Sequence, residues 1–117
     1  MGDVMKSFKI WLDDEREAPE GWIHFHSSRT CIAALDLLQY NRDAVIEELS
    51  LDHDLGDDEM YGTGYDVLLW IEEQVHSNDR YVPPASMKVH SANAGARPKM
   101  LAAIDSNSSS MGSTMGE

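Results

Sequence analysis

Cysteine, basic residues and long apolar runs are scarce in this chain, and each shortage excludes a class of protein. Cys31 is the one cysteine in 117 residues, which rules out an internal disulfide and a cysteine-based zinc site. It falls in a helical pattern beside Ile32 and Leu35, where a small buried thiol is the expected role. Lys and Arg together number 9 against 21 Asp and Glu, a formal charge of -12. That balance argues against broad contact with nucleic-acid backbones, which needs a basic stripe. A small phosphate ligand stays possible, because a bound metal supplies positive charge locally. No apolar run approaches the roughly 20 residues of a membrane span. No signal-peptide h-region opens the chain, so a cytoplasmic location is expected, the host cytoplasm for a phage-encoded chain. Met1-Gly2 is not a myristoylation start, since Lys6 stands where Ser or Thr is required.

What is present suits one domain with one core. Residues 8–12 (FKIWL) read as a first strand that runs into Asp13 and Asp14. A charged loop holding Pro19 and Gly21 follows, then a second strand over residues 22–26. Ser27 or Ser28 caps a helix with Ile32, Leu35 and Leu38 at helical spacing. Residues 48–51 form a third strand, and after Gly62-Thr63-Gly64 a second helix carries Leu68, Ile71 and Val75 on one face. Pro83 and Pro84 precede a fourth strand over residues 86–90, and a third helix starts near Pro98, carrying Leu101 and Ile104. The domain is expected over residues 8–105, after an extension over 1–7. A flexible Ser, Gly and Met-rich tail is expected over 106–117. The order β-β-α-β-α-β-α implies an α/β fold with an open parallel sheet built by right-handed crossovers.

Two acidic clusters follow strands directly: Leu12-Asp13-Asp14-Glu15 and Leu51-Asp52-His53-Asp54. With the first strand between the second and third, Asp13, Asp14 and Asp52 meet at the switch point where such sheets bind ligands. Two carboxylates about 4 Å apart repel by roughly 1 kcal/mol in water and about 4 at an effective dielectric of 20. A hard divalent cation, Mg²⁺ or Mn²⁺, offsets that repulsion and brings a phosphate with it. The competing reading is a solvated acidic loop, and Asp57, Asp58 and Glu59 are expected to be ordinary surface charge. An EF-hand over residues 52–59 fails, because the required glycine and glutamate fall at wrong positions.

The arrangement resembles the receiver domain of response regulators, a flavodoxin-like fold. Asp13 and Asp14 match its acidic pair, Asp52 its phosphoacceptor, and Ser91-Ala92 the end of its fourth strand. The chain departs from receivers in two ways. The helix between the first two strands is reduced to a loop, and the fifth strand, with its phosphate-contacting lysine, is missing. A closer resemblance is to cyclic-phosphate processing receiver domains, whose ordered motifs appear here as LDDEREAP at residues 12–19, LDHDLG at 51–56, GTGYD at 62–66 and HSAN at 90–93. The resemblance implies about four strands in the order 2-1-3-4. It also implies a metal held by Asp13, Asp14 and Asp52, with a backbone carbonyl near Asp54.

Around that metal set, His53 and His90 follow the strands that feed the site and are candidate acids or bases beside Asp52. Each can equally be a structural histidine bonded to a backbone carbonyl. His24 and His26, within the second strand, are expected to stay out of the chemistry. Ser91, Asn93, Arg16 and Arg97 are candidate phosphate contacts; either arginine suits an anion and is placed to replace the missing lysine. Each arginine can equally pair with nearby carboxylates. Thr63 is expected to cap a helix. Two readings follow. One is metal-dependent ring opening of a cyclic phosphate, in a cyclic nucleotide or a 2′,3′-cyclic RNA end. The other is a non-catalytic phosphate-sensing or protein-interaction module using the same pocket. The expected partner is a small phosphate ligand without a membrane, and the exposed sheet edge is open to a partner protein or a second copy.

Overall fold

Leucine and isoleucine at alternate positions decide which side of each strand is buried. In the computed structural model, which describes residues 6–41 and 43–112, β1 (Lys6–Leu12), β2 (Ile23–Phe25), β3 (Ala44–Leu51) and β4 (Met87–Val89) form one sheet. Its order is β2-β1-β3-β4 and every pairing is parallel. Ile10 pairs with Leu49 and Leu12 with Leu51, and all four side chains are fully buried on the same face. Burial of each such side chain stabilises the fold by about 1.5–3 kcal/mol.

β3 begins four residues earlier than its sequence pattern indicates, at Ala44 rather than Glu48. A register shift between Phe8 and Lys9 explains it, since Phe8 pairs with Ile46 and Lys9 with Glu48. The extra residue, Glu47, is absorbed by the irregularity, so Ile46 and Leu49 both pack on the core although they are three positions apart. Two consecutive glutamates interrupt the alternation that marks a strand. β2 and β4 are each shorter than expected, three residues apiece.

The helices are α1 (Ser28–Leu38), α2 (Asp58–Tyr61), α3 (Gly64–Ser77) and α4 (Arg97–Gly112). Ser27 caps α1 by accepting from the Thr30 N–H. Thr63 caps α3 through a reciprocal box with Asp66. The short α2 falls on residues expected to be plain surface charge; Asp57 accepts from the Glu59 N–H at its start. α4 continues to Gly112, past Asp105 where the expected tail begins. Helical backbone bonding needs no apolar period, and periodicity was the signal that ran out. Residues 1–5 of the expected extension and 113–117 of the tail lie outside the described residues.

Handedness then sets the layers. The chain steps from β1 outward to β2, back across to β3, and on to β4. Right-handed crossovers put the β1–β2 connection on one face and the later connections on the other. α1, α3 and α4 accordingly pack side by side on the leucine face. The connection on the opposite face is only a loop, residues 13–22.

Candidate functional site

The sheet ladder continues one residue beyond three of the strands and so fixes the site's backbone. The Asp13 N–H donates to the Phe25 carbonyl, Asp52 N–H to Leu12, and His90 N–H to Leu51, at 3.0, 2.9 and 2.9 Å. Asp13, Asp52 and His90 therefore emerge side by side at the carboxyl ends of β1, β3 and β4. Asp13, Asp14 and Asp52 each offer a carboxylate oxygen, and these oxygens lie within 4.8 Å of one another. They line a cleft of about 410 Å³ with Glu15, Arg16, Asp54, Gly56 and Ala92. The other large cavity, about 810 Å³, opens at the far end of the sheet near Leu38, Ile46 and Tyr81, and its lining carries no carboxylate.

Asp13 is almost wholly buried, at 1% exposure. Burial by itself raises its pKa, but the backbone N–H groups of Arg16 and Glu15, with His90, outweigh it and hold the carboxyl below its ordinary value. Both N–H groups donate to Asp13 Oδ1 at 2.8 Å. Asp52 moves the other way. Burial raises it first and the Asp13 charge adds to that, with the Ser91 hydroxyl and the His53 N–H relieving only part. An ionised Asp13 beside a carboxyl that resists ionisation is a site short of positive charge. Three convergent oxygens, one of them immobilised by backbone donors, fit a hard divalent cation.

His90 is tied into this cluster from both ring nitrogens. Its Nε2 lies 3.0 Å from Asp13 Oδ2 and its Nδ1 2.7 Å from Ser50 Oγ. An ionised carboxylate only accepts, so Nε2 carries the proton and Nδ1 accepts from the Ser50 hydroxyl. Burial lowers the His90 pKa, with the Asp13 carboxylate opposing, and the balance favours this neutral form. Trp11 stacks on the ring, with centroids 3.8 Å apart and planes 7° from parallel. Ser50 and Trp11 were not singled out from the sequence. Their signal was the alternation itself, which puts both on the face opposite the leucines, where a buried serine needs a partner.

The remaining candidates divide. Ser91 is buried, its hydroxyl accepts from the Asn93 N–H at 3.0 Å, and it acts to lower the Asp52 pKa. Asn93 reaches Asp54 through Nδ2, while its Oδ1 accepts from the Gly95 and Ala96 N–H groups. Its amide is thus already engaged in the turn before α4. His53 points its Nδ1 at Asp54 Oδ1, 2.8 Å away, and does not line the cleft. The His53 hydrogen bond is the main cause of the lowered Asp54 pKa. Arg16 lines the cleft and donates to the His90 carbonyl at 2.9 Å. Arg97 donates to the Val89 carbonyl at 3.2 Å and stands outside the cleft. Neither arginine forms an ion pair among the described residues. His24 is nearer than expected, its Nε2 2.7 Å from the Asp13 carbonyl oxygen.

Gly64 has a specific steric role. A Cβ there would stand 2.0 Å from the Asp52 carbonyl oxygen. Only glycine lets the first turn of α3 pass so close to the backbone that presents Asp52.

Comparison with curated proteins and with solved structures finds no match. The family model of the cyclic-phosphate processing receiver domain matches residues 8–106. The chain, with its receiver-like parallel sheet and acidic cluster, belongs to that family.

Proposed function

We propose that the domain opens the ring of a cyclic phosphate by metal-dependent hydrolysis. The observation that carries this reading is the convergence of Asp13, Asp14 and Asp52 oxygens within 4.8 Å in a cleft open to solvent. These three residues would hold Mg²⁺ or Mn²⁺. Bound there, the cation supplies Lewis-acid polarisation of a phosphoryl oxygen. The protein's own groups do the rest. Asp52, whose pKa is raised, is the more basic carboxylate and suits taking the proton from an attacking water. The water oxygen bonds to phosphorus, one ring P–O bond breaks, and the released oxygen takes a proton from Asp52 or solvent. Direct attack by Asp52, giving an aspartyl phosphate that water then cleaves, uses the same placement.

His90 acts through Asp13. Both of its ring nitrogens are committed within the protein, so it orients the buried carboxylate rather than serving as a free base. Arg16 keeps further N–H donors beyond the one given to His90, on the wall of the cleft, for a phosphate oxygen. A sensing module is the second reading. The Asn93 amide is engaged by the protein and Arg97 stands outside the cleft, which leaves few groups for the reacting phosphate.

The test is a panel of cyclic mono-, di- and oligonucleotides and an RNA with a 2′,3′-cyclic end, with Mg²⁺ or Mn²⁺. Turnover of at least one member is expected. Asp52→Asn should lower it by about 10²-fold or more. His90→Ala should lower it by about 10–100-fold, the usual range for a residue that orients a metal ligand. Tight binding of one member with no turnover anywhere favours the sensor.

A further inference from the structure

Pro83 and Pro84 carry no backbone N–H and cannot donate to a ladder, and β4 starts only at Met87, opposite Leu49. Residues 44–46 of β3 therefore run on past the start of β4, with the Ala85 N–H bonded to the Ile46 carbonyl at 2.9 Å. The sheet is left with a notch there, between the end of α1 and the turn at residues 78–82. This notch is the cavity of about 810 Å³. Small-molecule sites usually enclose about 300–1,000 Å³. Its wall is largely apolar, with Leu38, Tyr40, Ile46, Tyr81 and Val82 on it. Tyr40 and Val82 are 76% and 72% exposed, and Leu37, on the same end of α1, is 74% exposed. Among the described residues these are the three most exposed large apolar side chains, so the apolar surface left to solvent is concentrated at this one place.

The polar groups of the wall are unevenly used. Gln39 Oε1 accepts from Asn78 Nδ2 at 3.1 Å, Asn78 Oδ1 from the Arg80 N–H at 3.1 Å, and Asn41 Oδ1 from the Asp43 N–H at 3.0 Å. Gln39 Nε2 is given to Asp36. The side-chain amide acceptors are thus taken, and what remains is donors. Asn41 Nδ2 and the Arg80 guanidinium make no hydrogen bond or ion pair among the described residues. The Tyr81 hydroxyl, shut in behind the wall, has no partner among them either, a condition rare for a buried polar group. A ligand head that accepts hydrogen bonds is matched to such a wall, and a head that donates is not. An anion is also favoured here by charge. The chain carries a net -12, yet no carboxylate lines this cavity.

We infer that the notch binds an apolar carboxylate, a fatty or aromatic acid, with its body against Leu38, Ile46 and Tyr81 and its head on Arg80 and Asn41. The site lies at the other end of β3 from Asp52. It is separate from the cyclic-phosphate chemistry and does not rest on it.

Amide NMR titration of the full chain with octanoate, naphthoate and octanol tests it. At least one acid should shift the signals of Leu38, Ile46 and Val82 while those of Asp13 and Asp52 stay in place. The tighter of the two acids tells a chain-shaped ligand from a ring. Arg80→Gln should weaken acid binding about 3–5-fold, the worth of a solvent-exposed ion pair, and leave octanol unaffected. Tyr40→Ala, at a position too exposed to matter for folding, should weaken all three compounds. Failure of both acids to bind at millimolar concentration overturns the proposal, as does binding that neither substitution alters, because the acid then sits elsewhere. Equal weakening of octanol and the acids by Arg80→Gln also overturns it, since the arginine is then only packing. A dimer that Tyr40→Ala dissolves overturns it too, because a second copy then fills the notch.

Discussion

Asp13 and Asp52 are neighbours whose surroundings push their ionisation in opposite directions, and this makes the metal-free site sensitive to pH. Asp13 has a folded pKa below its ordinary 3.8. Its contribution to stability is present above that value and is lost as pH falls through the folded pKa. Asp52 is raised above 3.8. The folded state then holds its proton more tightly than the unfolded chain, so stability falls as pH rises through the window above 3.8. In EDTA at neutral pH, Asp52→Asn should therefore raise the melting temperature, by a stability on the order of 1 kcal/mol. Asp13→Asn should lower it by about 1–3 kcal/mol, since the bond from His90 loses its acceptor. Both differences should shrink below the unfolded value of 3.8. Melts from about pH 3 to pH 7 read both signs. Millimolar Mg²⁺ or Mn²⁺ should stabilise the wild type and leave Asp52→Asn almost unmoved. An identical metal response in the two proteins would remove Asp52 from the ligand set.

At the level of elements, the site depends on how closely α3 approaches the end of β3. Gly64→Ala places a methyl against the Asp52 carbonyl and the Met100 side chain, at 2.0 and 2.9 Å before any relaxation. The first of these is backbone and cannot simply swing aside, so a loss of about 3 kcal/mol is expected, seen as a lower urea midpoint. Thr63→Ala, one position earlier, removes one half of the capping box and should cost only about 1 kcal/mol. A Gly64 variant as mild as the Thr63 variant would contradict the close-approach argument. The cap was legible in the sequence as Thr three positions before Asp, but the packing role of Gly64 was not. A glycine before a helix has many uses, and which backbone it must pass depends on a strand ten or more positions away.

Over the molecule as a whole, one face of the sheet carries the hydrophobic core, and among the described residues the other is crossed by the loop of residues 13–22. Among the described residues, the last fully buried core side chain along the chain is Met100, with Ala103 and Ile104 partly buried against the same cluster. The family match ends close by, at residue 106. Truncation after Ser106 should therefore leave the melting temperature within a few degrees of the full chain, whereas truncation before Met100 should prevent folding. A large loss from the shorter deletion would show that the last residues pack against the domain.

The parallel sheet and the two acidic clusters at strand ends were readable because each rests on short-range pattern, while the strand order came from the family resemblance. Apolar runs ending in Asp13 and Asp52, separated by amphipathic helices, leave few ways for right-handed crossovers to assemble, and these bring the carboxylates together. Fully buried Cys31 likewise follows from its helical neighbours. The tertiary structure alone decided the roles of residues that are polar or aromatic on the second face. Ser50 and Trp11 gain meaning only when His90, 40 positions from Ser50, folds back over them. The same fold committed both nitrogens of His90, kept His53 off the cleft wall and turned Arg97 to a carbonyl. A side chain's type gives its chemistry, but whether its donors are free depends on partners that the linear sequence does not place beside it.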